Sequence, residues 1–157
     1  MKLNRLFIPL LFAFVLSGCE KAIEPFHLSP EYYTSENKGL KSVNYGVVET
    51  KKEEKASFVA VVYTSGCTSC STFSYLAESY ANDNNLQFYS VDYKELRAYD
   101  PALAGDLKTA PAVLLFDQGV NVASLKSSDT KQKEYFIYYE SFKQWFETYI
   151  IITPPEV

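Results

Sequence analysis

The chain has little cysteine, almost no histidine and no apolar run long enough to cross a bilayer. There are 3 cysteines and 1 histidine in 157 residues. So few cysteines exclude a domain stapled by several disulfides, because secreted domains that depend on such bridges carry more of them. One histidine makes a closed zinc site difficult to assemble, since such a site needs four ligands. Positive charge is also short, with 15 Lys and Arg against 19 Asp and Glu. Nucleic acid is therefore not an expected partner, because binding it requires concentrated positive charge.

What remains is a globular composition, 47% hydrophobic and 22% charged, with length for one domain and its core. The N-terminus reads as a leader. Lys2 and Arg5 precede an apolar stretch from Leu6 to Leu16, broken only by Pro9, and Leu16-Ser17-Gly18-Cys19 follows. This pattern is a basic n-region, a short h-region and small residues at a cleavage point. The tetrad resembles the lipobox of bacterial lipoproteins, in which the cysteine is lipidated and begins the mature chain. An ordinary secretory signal with an incidental cysteine is the alternative. Lipidation at Cys19 would attach the protein to a membrane by two or three acyl chains, enough for stable anchoring. Removing Lys2 and Arg5 leaves 13 basic residues against 19 acidic, a net charge of −6.

Residues 1–18 are thus expected as signal peptide and 19–41 as a lipidated tether, polar and aperiodic, reaching on the order of 70 Å. Phe26, Tyr32 and Tyr33 could dock part of it on the domain, which is expected over 42–152 with a tail at 153–157. Within the domain, Leu40 to Glu49 carries Val43, Tyr45, Val47 and Val48 and predicts a first strand, followed by a charged loop through Lys55. Ala56 to Tyr63 is continuously apolar and β-branched, as in a strand covered on both faces. Phe73, Leu76, Ala77 and Tyr80 fall on one face of a helix ending near Asn84. Leu86 to Tyr93 predicts a strand and Asp100-Pro101 opens a short helix. Ala112 to Phe116 and Val120 to Leu125, around Asp117-Gln118-Gly119, predict an antiparallel hairpin. Aromatic residues from Tyr135 to Ile150 recur with helical spacing, and Pro154-Pro155 would stop that helix.

The two remaining cysteines, Cys67-Thr68-Ser69-Cys70, sit where the apolar strand gives way to the helix. Backbone N–H groups at a helix start have no internal partners and the peptide dipoles place positive charge there. A cysteine in that field is favoured as its thiolate, the nucleophilic form. Dithiol/disulfide exchange is therefore the expected chemistry.

From Val43 to Ile152 the chain resembles the thioredoxin superfamily, on the strand ending at Tyr63, the Cys67–Cys70 pair, Thr109-Ala110-Pro111 before Ala112–Phe116, and Gly119 in the hairpin turn. The resemblance implies an α/β thioredoxin-like fold: a mixed central sheet, helices on both faces, and a C-terminal antiparallel hairpin plus helix. It implies Cys67 and Cys70 as catalytic residues, Pro111 as a cis proline, and Ala110 with Pro111 as the substrate contact. No cofactor and no metal is implied. The partners would be protein thiols and disulfides outside the cytoplasm, in the bacterial cell envelope, with a membrane thiol-electron carrier as electron source. The chain departs from the pattern in having Thr68-Ser69 between the cysteines and Val61 where thioredoxin has a buried acid. Two other readings compete: a thiolate site for copper(I) or zinc on Cys67 and Cys70, and a non-catalytic adaptor.

Overall fold

The computed structural model describes residues 23–156, and the expected leader and lipidation site Cys19 lie outside them. Five strands form the main sheet: β2 (Gly39–Ser42), β3 (Phe58–Tyr63), β4 (Gln87–Asp92), β5 (Ala112–Asp117) and β6 (Val120–Lys126). Their order is β2-β4-β3-β5-β6, with β2, β4 and β3 parallel and β5 antiparallel to both β3 and β6. This is the expected mixed sheet with its terminal hairpin. Gln118 and Gly119, both at positive φ (48° and 80°), make the tight turn between β5 and β6.

Strand β3 lies at the centre, and Phe58 to Val62 are all inaccessible to solvent. Side chains alternate across a strand, so full burial of consecutive residues means that both faces are covered. Phe58, Ala60 and their register partners Phe116 and Tyr89 share one face, where Phe58 stacks on Phe116 at 4.6 Å and Tyr32 meets Tyr89 edge-on at 5.6 Å. The opposite face carries Phe88, which packs 5.3 Å from Phe146. Two helices cover that face, α2 (Thr68–Asp83) and α5 (Tyr139–Tyr149), joined through Phe73, Tyr80, Phe142 and Phe146. Tyr80 also donates to Glu147 Oε1 at 3.1 Å, and burial pushes its phenol pKa well above the ordinary range.

Three sequence expectations are corrected, the last of them at the start of the final helix. Residues 26–41 are part of the domain, not a free tether. Phe26 and His27 form β1, paired in parallel with β7 (Ile150–Ile151), and Leu28 and Tyr32 are each 1% exposed. Ser29 fastens the segment to the sheet, donating its N–H to Ser57 O at 2.8 Å and accepting from Ser57 N–H through its Oγ at 2.9 Å. Burying aromatic and aliphatic anchors outweighs the polar composition. Second, the strand expected over Leu40 to Glu49 ends at Ser42, and α1 (Tyr45–Glu53) follows. Asn44 caps α1 by accepting the Val47 N–H, and Tyr45 and Val48, three apart, are the buried pair that fix its inner face.

The remaining elements are α3 (Tyr93–Tyr99) and α4 (Pro101–Leu107), which pack on each other, and a 3-10 turn at Thr130–Phe136. Tyr135 therefore stands outside the last helix, whose aromatic face begins at Tyr139. The last helix ends at Tyr149, ahead of the prolines, because Ile150 turns extended to pair with Phe26.

Candidate dithiol active site

The site is built at the end of β3. Thr64 to Cys67 form a tight turn, closed by Cys67 N–H donating to Thr64 O at 3.3 Å. Gly66 sits third in that turn at φ +78°, a conformation that glycine adopts without a Cβ penalty. The turn delivers Cys67 as the N-cap of α2, with φ −90° and ψ 111°. Its Sγ accepts the Cys70 N–H at 3.1 Å and lies 3.2 Å from Ser69 Oγ. Sulfur thus occupies the place that a Ser, Thr or Asp oxygen takes in an ordinary cap.

Cys67 and Cys70 are joined by a disulfide, with Cα atoms 5.2 Å apart. The pair is asymmetric. Cys67 is half-buried among the exposed Ser65, Gly66, Thr68 and Ser69, whereas Cys70 is 3% exposed. One sulfur can meet an incoming group and the other faces the core. α2 has neither an acidic nor a basic residue in its first turn, so what the helix itself contributes to the field there comes from its free N–H groups and its dipole.

The Ala110–Pro111 peptide is cis. Lys108, at φ 67°, ends α4, and Thr109 leads to the cis bond. Pro111 O accepts the Ser127 N–H at 3.3 Å, which ties the proline to the end of β6. Pro111 is buried and Ala110 half-buried. A cleft of about 310 Å³ joins the two halves, lined by Ser69, Pro111, Ser127, Lys133, Phe136 and Ile137. The cleft therefore places Ser69, which lies between the two cysteines, together with Pro111. The fold leaves His27 elsewhere, on β1, with Nδ1 3.0 Å from Thr153 O.

Ser127, Lys133, Phe136 and Ile137 were not legible as site residues. Ser127 and Lys133 fall between the hairpin and the last expected helix, Phe136 and Ile137 within the stretch whose aromatic spacing reads as that helix, and only the fold turns them toward the cysteines. Val61 is fully buried, with Ser90 and Val113 as its register partners, so β3 supplies no acid at that position. Among the described residues no group of three or more His, Cys, Asp or Glu converges on one point.

No protein-family model and no curated protein matches the sequence. Solved structures do. A mutant thioredoxin from Halobacterium salinarum superposes with a TM-score of 0.55 at 18% identity, over 74% of this chain and 95% of that one. Thioredoxin from Trypanosoma brucei brucei gives a TM-score of 0.50 at 13% identity, over 71% of this chain and 94% of that one. Together with the strand order, the disulfide at the start of α2 and the cis proline ahead of β5, these likenesses show that the chain has the thioredoxin fold.

Proposed function

We propose that the protein is a thiol-disulfide oxidoreductase that acts through Cys67 and Cys70. The observation that carries this reading is the asymmetric pair itself: an outer sulfur capping a helix N-terminus, bonded to an inner, buried one. In the reduced protein, Cys67 is held as thiolate by the Cys70 N–H and the helix dipole. It attacks one sulfur of a substrate disulfide. A Cys67–substrate bond forms, the substrate S–S bond breaks, and the other substrate sulfur leaves as thiolate. Cys70 gives its proton to water or to another group, because β3 offers Val61 and no acid, and its thiolate attacks Cys67 Sγ. The intramolecular disulfide forms, the second substrate sulfur departs, and two electrons have passed to the substrate.

A dithiol reductant of the membrane would restore the pair. Reduction of extracytoplasmic proteins is the direction proposed, by analogy with the fold and not from a measured potential. A reduction potential near about −270 mV supports it, and one near about −120 mV reverses it. Ala110 and Pro111 would receive the substrate backbone beside Cys67. A protein lacking N–H on Pro111 leaves no donor unsatisfied at that surface.

The cell envelope is the proposed location, supported by Leu16-Ser17-Gly18-Cys19 alone. With β1 starting at Phe26, residues 20–25 would be all that separates Cys19 from the domain, a reach of about 25 Å at most. The dithiol domain would then work close to its membrane. Loss of the protein from the membrane fraction in a Cys19→Ser variant is the expected result.

The deciding experiment is trapping. A Cys70→Ala variant should accumulate substrates as mixed disulfides on Cys67, and a Cys67→Ser, Cys70→Ser variant should lose every redox phenotype. If the double variant performs as the parent does, the domain is an adaptor and this reading is wrong.

A further inference from the structure

The cleft beside the disulfide has a wall that its chemistry does not require. Two of its lining residues, Ser69 and Pro111, belong to the reaction site. The other four come from the end of β6 and the segment that links it to α5. Phe136 makes the floor: it is 8% exposed and meets Phe73 of α2 edge-on at 4.8 Å. Ile137, the next residue, is 62% exposed, and Tyr138 after it is 61% exposed. A branched aliphatic side chain left in water at the rim of a cleft is apolar area available for burial.

Lys133 supplies the charge. It is exposed and makes no ion pair among the described residues, unlike Lys51, Lys52 and Lys126, each of which has a carboxylate partner. Ser127 adds a polar group, since its Oγ is buried without a hydrogen-bond partner while its N–H is held by Pro111 O. The wall is also fixed in place. Gln132 Oε1 accepts the Lys126 N–H at 2.7 Å, and Glu134 O accepts from both Ile137 and Tyr138 N–H, at 3.1 and 3.0 Å. A recognition surface that is already ordered loses less entropy on binding.

We infer that this wall selects the substrate: a disulfide whose cysteine is flanked by a large apolar residue and by a carboxylate. The inference rests on the dithiol reading above and adds to it the class of sequence that is recognised. Phe136 and Ile137 cover the apolar side chain. Lys133 pairs with the carboxylate, at a range short enough to act although the chain as a whole is negative, because solution salt screens charges beyond about 8 Å.

The test uses short peptides with one cysteine held as a mixed disulfide with 2-mercaptoethanol, flanked by Leu and Glu, by Ser and Glu, or by Leu and Lys. The full-length protein is reduced with dithiothreitol, freed of it, and reacted in a single turnover that releases peptide thiol and 2-mercaptoethanol. The Leu/Glu peptide should react roughly tenfold faster than Ser/Glu, and roughly fivefold faster than Leu/Lys. Lys133→Glu should invert the Glu-to-Lys ratio, and Ile137→Ser should bring the Leu-to-Ser ratio close to one. These are ratios within one variant, so they do not depend on the fraction of active protein. Equal rates for all three peptides, or ratios that the two substitutions leave alone, overturn the inference while the dithiol reading stands. No reaction with any of the peptides or with bis(2-hydroxyethyl) disulfide overturns both.

Discussion

Ser69 Oγ stands 3.2 Å from Cys67 Sγ, on the same sulfur that accepts the Cys70 N–H at 3.1 Å. In the disulfide the sulfur has no proton, so the hydroxyl is the donor. After reduction the same donor would favour the thiolate, since hydrogen bonds to a charged form stabilise that form. Because Ser69 is exposed, the gain falls to that of an ordinary hydrogen bond, about 1 kcal/mol. Ser69→Ala should therefore slow alkylation of Cys67 at neutral pH by roughly fivefold and make the reduction potential about 20 mV more negative. An alkylation profile against pH that does not move would show that the hydroxyl does not act on the sulfur.

The N-terminal segment gives a second prediction. Tyr32 is 1% exposed, donates to Tyr89 Oη at 3.3 Å and packs 6.1 Å from Phe58. Tyr32→Ala should destabilise the protein by about 3–5 kcal/mol, as expected for removal of a buried ring. Were the segment a free tether, the change would stay within about 0.5 kcal/mol. Urea unfolding separates the two.

The reasons these features were or were not legible are physical. The short, β-branched apolar run at Phe58–Val62 fits a strand covered on both faces, and the cysteine pair falls where the helical pattern begins, so β3, α2 and the sulfur site stand out from the residues. The packed segment over 26–41 has no period, because it touches the sheet at separate points, Leu28, Ser29 and Tyr32, instead of along a face. Only its aromatic residues hinted at docking. α1 was hidden by Val43, Tyr45 and Val47, which alternate as a strand would, while the buried pair Tyr45 and Val48 obeys the helical spacing and Asn44 caps it. The wall of the cleft had no local signature at all. Lys133 and Ile137 become site residues only because the 3-10 turn folds back against α2 through Phe136.

Gly119 gives a third prediction. It holds φ +80° in the hairpin turn, its N–H donates to Ala56 O at 2.9 Å, and a Cβ there would collide with the Lys52 carbonyl oxygen at the end of α1. The obstacle is backbone, so a side chain cannot simply move aside. Gly119→Ala should cost at least about 2 kcal/mol, from the left-handed conformation and the clash together. Thermal unfolding should drop by several degrees. A variant as stable as the parent would mean that α1 and the hairpin turn are not in close contact.

Alkaline pH provides the last test. Burial raises the phenol pKa of Tyr32, Tyr45 and Tyr80 well above the ordinary value of 10.0, and Tyr139, partly desolvated and bonded to Asp83, is pushed up to about 12. A raised folded pKa means that the native state keeps protons that the unfolded chain gives up. The stability these groups confer is therefore complete below pH 10.0 and falls as pH rises toward their folded values. Each fully buried phenol contributes a slope on the order of 1 kcal/mol per pH unit in that window. Three of them would consume a domain stability of about 5–15 kcal/mol within a few units. Unfolding should be cooperative, with buried tyrosinate absorbance appearing together with the loss of structure. Tyr80→Phe isolates one contributor. Below pH 10.0 it should cost about 1 kcal/mol, for the lost bond to Glu147. Above that pH the cost should shrink and then change sign, because phenylalanine has no proton to lose. A cost that stays constant across the whole range would mean that Tyr80 ionises as readily in the folded protein as in the unfolded chain, and that the α2–α5 interface is open to water.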